Sequence, residues 1–267
     1  MTIFSFSRRR LAAAALSVFA LTALPALNAY AAEDLADTIA RTGELRIGTE
    51  GVYPPFTYHD KDGKLTGADV EFGRKLAEKL GVKPVFVVIP WEGVFPAFDS
   101  GRVDIILNQI SVTPARLEKY DFSEPYGYVK GVLFVNKKNN ELRKLSQLKG
   151  HTAAATPSSD WRVVAESYGA KVTPVPEFSH VIEQVATGRV EAGINSELAV
   201  RDLLKERPDT PIKVVDKTPE GLGVTVPVKK GSPKFIAAVN KAIEELRADG
   251  TLKAISLKFL GIDTSSK

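Results

Sequence analysis

The chain has 267 residues, 44% hydrophobic and 25% charged, enough for one large core or two medium ones and too apolar for a disordered or collagen-like chain. It contains no cysteine, which excludes disulfides, thiol nucleophiles, zinc fingers and iron–sulfur clusters. The net charge is +4, and the three histidines, His59, His151 and His180, have no metal-ligand spacing, so no zinc site is expected.

At the start of the chain Arg8, Arg9 and Arg10 precede an apolar stretch over 11–27 and then Ala29-Tyr30-Ala31. A charged start, an apolar middle and an A-x-A end read as an export signal, so residues 1–31 are assigned to a signal peptide cleaved after Ala31. A membrane anchor is the alternative, but the stretch has Pro25 and Asn28 near its end and is short for a bilayer span of about 20 residues. The arginines also permit a twin-arginine route, although nothing in the sequence requires a cofactor inserted before export. Without those three arginines the net charge falls from +4 to +1, which leaves no footprint for nucleic acid. No second apolar run reaches membrane length, and a free periplasmic protein is expected.

From residue 45 onward, short β-rich runs alternate with helical patterns. Strands are expected over 45–49, 84–89 and 103–107, with helices over 68–80 and 91–100 between them. The alternation returns with strands over 151–156, 172–176 and 191–195 and helices over 161–168 and 179–187. Strands separated by helices form βαβ units and mostly parallel sheets. The two halves also resemble each other: Gly101-Arg102-Val103-Asp104-Ile105-Ile106-Leu107-Asn108 recurs as Gly188-Arg189-Val190-Glu191-Ala192-Gly193-Ile194-Asn195. Upstream, Ala77-Glu78-Lys79-Leu80-Gly81 recurs as Ala165-Glu166-Ser167-Tyr168-Gly169 at nearly the same offset. Two matches in order point to two similar α/β lobes, a domain repeat rather than a solenoid.

A run over 126–135 containing Gly127 and Gly131 joins the halves, and a second glycine-bearing strand over 222–228 follows the second. Helices over 233–248, with Phe235, Ile236, Val239, Ile243 and Leu246 at helical spacing, and over 252–260 close the chain. If this tail packs on the first lobe, the chain crosses between lobes twice, which makes a hinge with a ligand cleft at the strand carboxyl ends. Lobe 1 is then 32–126 with 223–267, and lobe 2 is 127–222.

Asn108 and Asn195 end equivalent strands and are expected to face each other across that cleft. Thr113 suits an N-cap and Pro114 the first helical position, which puts Arg116 in the first turn of a helix. A cation there opposes the helix dipole, so its presence suggests an anion shared between the guanidinium and backbone N–H groups around Ser111 and Thr113. An arginine on a solvated face is the plainer alternative, about as well supported by this context alone. Tyr53 and Trp91 follow strand ends and can wall a cleft, whereas Phe56 and Phe95 read as core. Asp69 and Glu71 open a helix, and dipole stabilisation suffices to explain them. No G-x-S-x-G, Walker loop or His-Asp-Ser set is present; Glu50 and Glu197 are the acids that strand ends place near the cleft.

Gly67-Ala68-Asp69-Val70-Glu71-Phe72, Arg116 with Asp121-Phe122-Ser123-Glu124-Pro125-Tyr126, and the ending Ala248-Asp249-Gly250-Thr251 with Lys258-Phe259-Leu260-Gly261 resemble the polar amino-acid binding proteins of ABC importers, extracellular solute-binding protein family 3. Within that family Glu50-Gly51-Val52-Tyr53-Pro54-Pro55-Phe56 and Leu107-Asn108-Gln109-Ile110-Ser111 are most similar to the cystine-binding branch. The resemblance implies a two-lobed α/β fold, the periplasmic binding protein fold of type II, with two crossover strands as hinge. It also implies Arg116 as a clamp on the ligand α-carboxylate, Tyr53 and Trp91 as aromatics around its side chain, and Gln109 and Ser111 as hydrogen-bonding groups. Three positions depart from the family. Ala68 replaces an aromatic, Thr156-Pro157-Ser158-Ser159-Asp160 replaces a glycine-bearing turn, and Ser196 stands where an aspartate usually receives the α-ammonium. Glu50, Asp160 and Glu197 are the candidate substitutes for that charge.

The expected ligand-binding set is therefore Glu50, Tyr53, Trp91, Asn108, Gln109, Ser111, Arg116, Ser159, Asp160 and Ser196. The expected function is capture of a small carboxylate-bearing ligand, a polar amino acid such as cystine, and its delivery to an ABC permease. No reaction, cofactor, metal or nucleic acid enters this reading, and the protein is expected to be a monomer. Two alternatives differ in class: a secreted enzyme on the same fold resembling cyclohexadienyl dehydratase, in which a cleft acid protonates a leaving hydroxyl, and a module that presents its ligand to a sensor.

Overall fold

The computed structural model describes residues 33–267; the expected signal peptide, residues 1–31, lies outside the described residues. Glu44–Thr49, Lys83–Val88 and Ile105–Ile106 form a parallel sheet in the spatial order second, first, third. Thr152–Ala155, Lys171–Pro174 and Ala192–Ser196 repeat that order in a second sheet. Gly131–Asn136 and Ile212–Lys217 extend the second sheet in antiparallel fashion beside Ala192–Ser196. Helices Ala68–Lys79 and Trp91–Asp99 alternate with the first set of strands, Asp160–Ser167 and Phe178–Ala186 with the second. The expected alternation is thus present twice, in two lobes each built on a mostly parallel sheet.

The repeated motif performs the same task in both lobes. Gly101 and Gly188 follow equivalent helices with left-handed φ of 76° and 72°, a conformation glycine adopts without steric cost. The acid three residues later reaches back to the start of its lobe's first strand. Asp104 accepts from the Arg46 backbone N–H at 2.7 Å and from its guanidinium at 3.0 and 2.5 Å. Glu191 accepts from the Thr152 N–H at 2.8 Å and its hydroxyl at 3.1 Å, with His151 Nδ1 at 2.8 Å.

Two expected strands each divide because their ends pair with different neighbours. The run over 126–135 breaks at Lys130: Gly127–Val129 pairs with Leu222–Val224 as the crossing ribbon, and Gly131–Asn136 enters the second sheet. The strand over 222–228 likewise yields Pro227–Lys229, which pairs with Tyr120–Phe122. Pro233–Ala248 and Thr251–Leu260 then pack on Ala68–Lys79, and Lys79 Nζ lies 3.3 Å from Glu245 and 3.4 Å from Asp249. The chain therefore returns to the first lobe, having crossed twice. Phe235, Val239, Ile243 and Leu246 are buried as their spacing predicts, and Ile236 is half-buried.

Helix Leu35–Thr42, which the sequence pattern did not suggest, is tied to this tail by Asp34. Its carboxylate accepts from Ala36 N–H at 2.9 Å and, 200 residues away, from Lys234 N–H at 2.9 Å, with Phe235 N–H at 3.2 Å. One side chain caps two helices, and Ser232, the residue before Pro233–Ala248, makes no side-chain cap bond to that helix; its hydroxyl accepts the Leu35 N–H of the other at 3.2 Å.

The two repeated acids differ in burial: the Asp104 side chain is 5% exposed and that of Glu191 is 44% exposed. Asp104→Ala should therefore cost about 2–3 kcal/mol of stability and Glu191→Ala less than about 1 kcal/mol. Urea unfolding of the two variants side by side measures this, and equal losses would show that burial does not set the difference.

Candidate functional site

The carboxyl ends of the first lobe's strands deliver Glu50 and Asn108 side by side. Asn108 Oδ1 accepts the Glu50 backbone N–H at 2.9 Å, and its Nδ2 donates to Glu50 Oε2 at 2.9 Å. The loop that follows carries Tyr53 on Val52–Tyr53, paired with Thr57–His59, and the Tyr53 hydroxyl donates across the cleft to Asn195 Oδ1 at 2.5 Å. Asn108 and Asn195 both line the pocket, as their equivalent strand ends suggested, but each is engaged by a different partner rather than by the other.

Thr113 caps helix Pro114–Lys119 and places Arg116 in its first turn, as expected. The Arg116 N–H donates to Thr113 Oγ1 at 3.3 Å, so it is not free for an anion. The guanidinium is buried and reaches both lobes: Nη1 donates to Ser111 O at 2.7 Å and Nη2 to Ser158 O at 2.9 Å. Its Nη1 lies 3.7 Å from Asp160 Oδ2, which accepts the Ser111 hydroxyl at 2.5 Å. Phe95, expected in the core, is half-buried with its ring 4.9 Å from Arg116 Cζ, a cation–π contact. Burial pushes the guanidinium pKa down, and Asp160 opposes that.

Between these groups lies a cavity of about 40 Å³. That holds a few water molecules and is far below the roughly 300–1,000 Å³ of ordinary ligand pockets, so the lobes must part to admit a ligand. Of the expected set, Glu50, Tyr53, Trp91, Asn108, Gln109, Ser159 and Asp160 line the cavity. Ser111 and Arg116 stand behind Asp160 and contact it. Ser196 is fully buried outside the lining, its hydroxyl accepting the Leu198 N–H at 3.3 Å as the N-cap of helix Glu197–Glu206. Glu197 lines a different cavity, beside Lys130 and Lys217.

The sequence reading missed Trp161 and Phe178 in the pocket wall. Phe178 begins the helix after its lobe's second strand, as Trp91 does in the first lobe, so the internal repeat carried a signal for it. The Trp161 ring lies against Gly131, where a Cβ would come within 2.5 Å of it. Asp69 has more than a dipole role, for it accepts from the backbone N–H of Gln109 and from its side-chain amide. Glu71 pairs with Arg74 at 3.1 Å on a partly exposed face.

Burial raises the Glu50 carboxyl from 4.5 to about 7, against the opposing bond from Asn108, and Glu177 adds to the rise. Burial also raises the Tyr53 hydroxyl well above its ordinary value, with Asp160 and Glu50 contributing.

Residues 45–262 match the family model of the bacterial extracellular solute-binding proteins, family 3. The chain is 40% identical over 236 residues to a probable amino-acid ABC transporter-binding protein of Haemophilus influenzae, covering 87% of this chain and 90% of that one. It is 39% identical over 233 residues to the L-cystine-binding protein TcyA of Bacillus subtilis, covering 87% of each. Among solved structures, the L-cystine solute receptor of Neisseria gonorrhoeae in its unliganded open conformation is 39% identical with a TM-score of 0.60, covering 87% of this chain and 99% of that one. Here, by contrast, Tyr53, Ser111 and Arg116 bridge the lobes.

The Glu50 shift has a defined sign. Between its ordinary 4.5 and about 7 the folded protein holds a proton that the unfolded chain has released, so stability contributed by this site falls as pH rises through that window. Glu50→Gln lacks the effect. Its melting temperature relative to the wild type should rise progressively from pH about 5 to about 8, and a difference that stays constant with pH would show that Glu50 is not held neutral.

Proposed function

The chain belongs to the bacterial extracellular solute-binding proteins of family 3, and from that premise we propose that it captures a polar amino acid in the periplasm, L-cystine foremost, and passes it to the membrane subunits of an ABC importer. The observation that carries this reading is the pairing of Arg116 with Asp160, 3.7 Å apart and both buried at the cleft. A zwitterionic head group offers a carboxylate to the first and an ammonium to the second, so the buried charges stay paired when it enters. Arg116 is then the carboxylate clamp, with Ser111 and Ser159 beside it. Asp160 takes the ammonium in place of Ser196, whose hydroxyl is engaged with Leu198.

Glu50 supplies a second carboxylate for a ligand with a second ammonium, as cystine has, and a cation beside it would draw its raised pKa back down. Asn108 steadies Glu50, and Gln109 adds a hydrogen bond. Tyr53, Trp91, Trp161 and Phe178 surround the middle of the ligand, and aromatic rings suit polarizable sulfur. The two relatives described as cystine proteins support the same choice.

In this reading the lobes are 32–126 with 223–267 and 127–222, both cuts falling at the ribbon of Gly127–Val129 and Leu222–Val224. The signal peptide is removed on export, and the protein works as a monomer without cofactor or nucleic acid and without chemistry on its ligand. One observation favours a second reading: a cleft acid with its pKa near 7 suits a proton donor, as a dehydratase needs. Incubation with a hydroxylated cyclohexadienyl carboxylate discriminates, and no turnover is expected.

Calorimetric titration should show L-cystine binding to the wild type. Arg116→Ala should weaken it by about tens- to thousands-fold, the cost of leaving one member of a buried charge pair alone, with the circular dichroism spectrum retained. Unchanged affinity in the variant would remove Arg116 from the site, and a wild type that ignores L-cystine and every other amino acid would overturn the function. N-terminal sequencing of exported protein should start at Ala32 or within a residue or two of it; a form retaining Arg8 to Arg10 would overturn the cleavage.

A further inference from the structure

Asp69 opens helix Ala68–Lys79 with only 1% of its surface exposed, and favourable placement near a helix dipole requires no such burial. A buried carboxylate is costly unless its oxygens are bonded. Here Oδ2 accepts the Gln109 backbone N–H at 2.8 Å, while Oδ1 accepts Gln109 Nε2 at 2.7 Å and the Tyr126 hydroxyl at 3.0 Å. Among the described residues Gln109 is the one non-glycine position with a left-handed backbone, φ 57°. Such a conformation costs an ordinary side chain about 1 kcal/mol or more and persists only when its surroundings enforce it.

Gln109 lines the ligand pocket. One N–H of Nε2 is committed to Asp69, which fixes the amide's orientation, and Oε1 is buried without a hydrogen-bond partner among the described residues. Trp91 Nε1, in the same pocket wall, is the converse: a buried donor without a partner. The backbone that carries Asp69 is itself anchored to the loop that carries Tyr53, because the Ala68 and Asp69 N–H groups donate to Pro55 O at 3.1 Å and Phe56 O at 2.9 Å. Gly67 permits that approach: its φ is 122°, and a Cβ there would lie 2.2 Å from Phe56 O.

We propose that Asp69 is a specificity-determining positioning residue: by accepting from the backbone N–H and from one side-chain N–H of Gln109 it enforces the left-handed turn and aims Oε1 as an acceptor at a ligand ammonium or N–H, beside the donor of Trp91. The proposal rests on the amino-acid reading above. Burial raises the Asp69 carboxyl to about 6, so its ionised form is held at neutral pH at a cost that the bonds from Gln109 and Tyr126 offset. A site with one fixed acceptor and one fixed donor rejects ligands lacking either complement, because a buried polar group is then left unpaired.

The test is a cycle of four proteins titrated with L-cystine at neutral pH: wild type, Asp69→Asn, Gln109→Ala and the double variant. The asparagine NH₂ faces one of three donors, so Asp69→Asn should weaken binding about tenfold or more. In the Gln109→Ala background the same change should cost less than about twofold. A merely structural Asp69 would lower the melting temperature and leave the affinity of the folded protein unaltered, or cost the same in both backgrounds; either result overturns the proposal. If the wild type binds no amino acid, the functional reading fails separately, and amide hydrogen exchange at Gln109 decides the positioning role. Exchange about tenfold or more faster in Asp69→Asn than in the wild type supports it, and equal rates overturn it.

Discussion

A guanidinium buried as deeply as that of Arg116 must find its partners inside the protein, because an unpaired buried charge costs several kcal/mol. Arg116 satisfies this requirement with carbonyls from both lobes, Ser111 O and Ser158 O, and with Asp160 close by. Meeting that demand ties the two lobes together at the cleft. The groups around it serve the same demand: Ser159 caps the helix that presents Asp160, Thr113 caps the helix that presents Arg116, and Phe95 covers the guanidinium face. Opening the cleft returns the charged groups to water, and closing it requires that something, protein or ligand, complete their bonding.

The contacts that hold the cleft shut include the Tyr53 ring edge-on against Phe178, 5.7 Å between centroids, and several polar ones. Tyr53 to Asn195, Ser111 to Asp160, Arg116 to Ser158 and Ser158 to Glu92 each exchange bonds to water for bonds to protein, which nets about 1 kcal/mol for the neutral pair and up to about 3 kcal/mol where one partner is charged. A ligand that engages both lobes at once adds contacts that only the closed arrangement offers and so shifts the balance toward it. The connection permits this movement, since the lobes are joined through a short two-stranded ribbon of Gly127–Val129 and Leu222–Val224.

Two copies of one topology supply the walls, but they are not furnished alike. At the strand ends of the first lobe sit Glu50, Asn108 and Gln109, polar groups in fixed hydrogen bonds; the second contributes Trp161, Phe178, Val181 and Ile194 beside Asp160 and Asn195. Repetition preserved what the backbone needs, the left-handed glycines after the helices and the acids that tie down the first strands. Asn108 and Asn195, each accepting a backbone N–H, are kept at both strand ends, while most other positions facing the cleft differ between the lobes. That asymmetry suits a ligand with a charged head and a bulkier remainder.

Much of the fold was legible because it is local. Helix Pro233–Ala248 lies where its apolar spacing put it, Thr113 and Pro114 start a helix, and the repeated motif marks equivalent strands, since burial of one face and the chemistry of turns leave periodic traces in a sequence. Seven of the ten expected site residues line the cavity for the same reason: parallel strands deliver their carboxyl ends to one edge. What only the tertiary structure decided is the partner of each polar side chain. Ser196 followed by Glu197 could serve a helix N-terminus or a ligand, and the helix took it; Asp34 found the start of a helix 200 residues away; Asp69 went to Gln109. A residue's type states which bonds it can make, but which donors and acceptors come within 3 Å depends on segments far apart in the chain, and no local pattern records that distance.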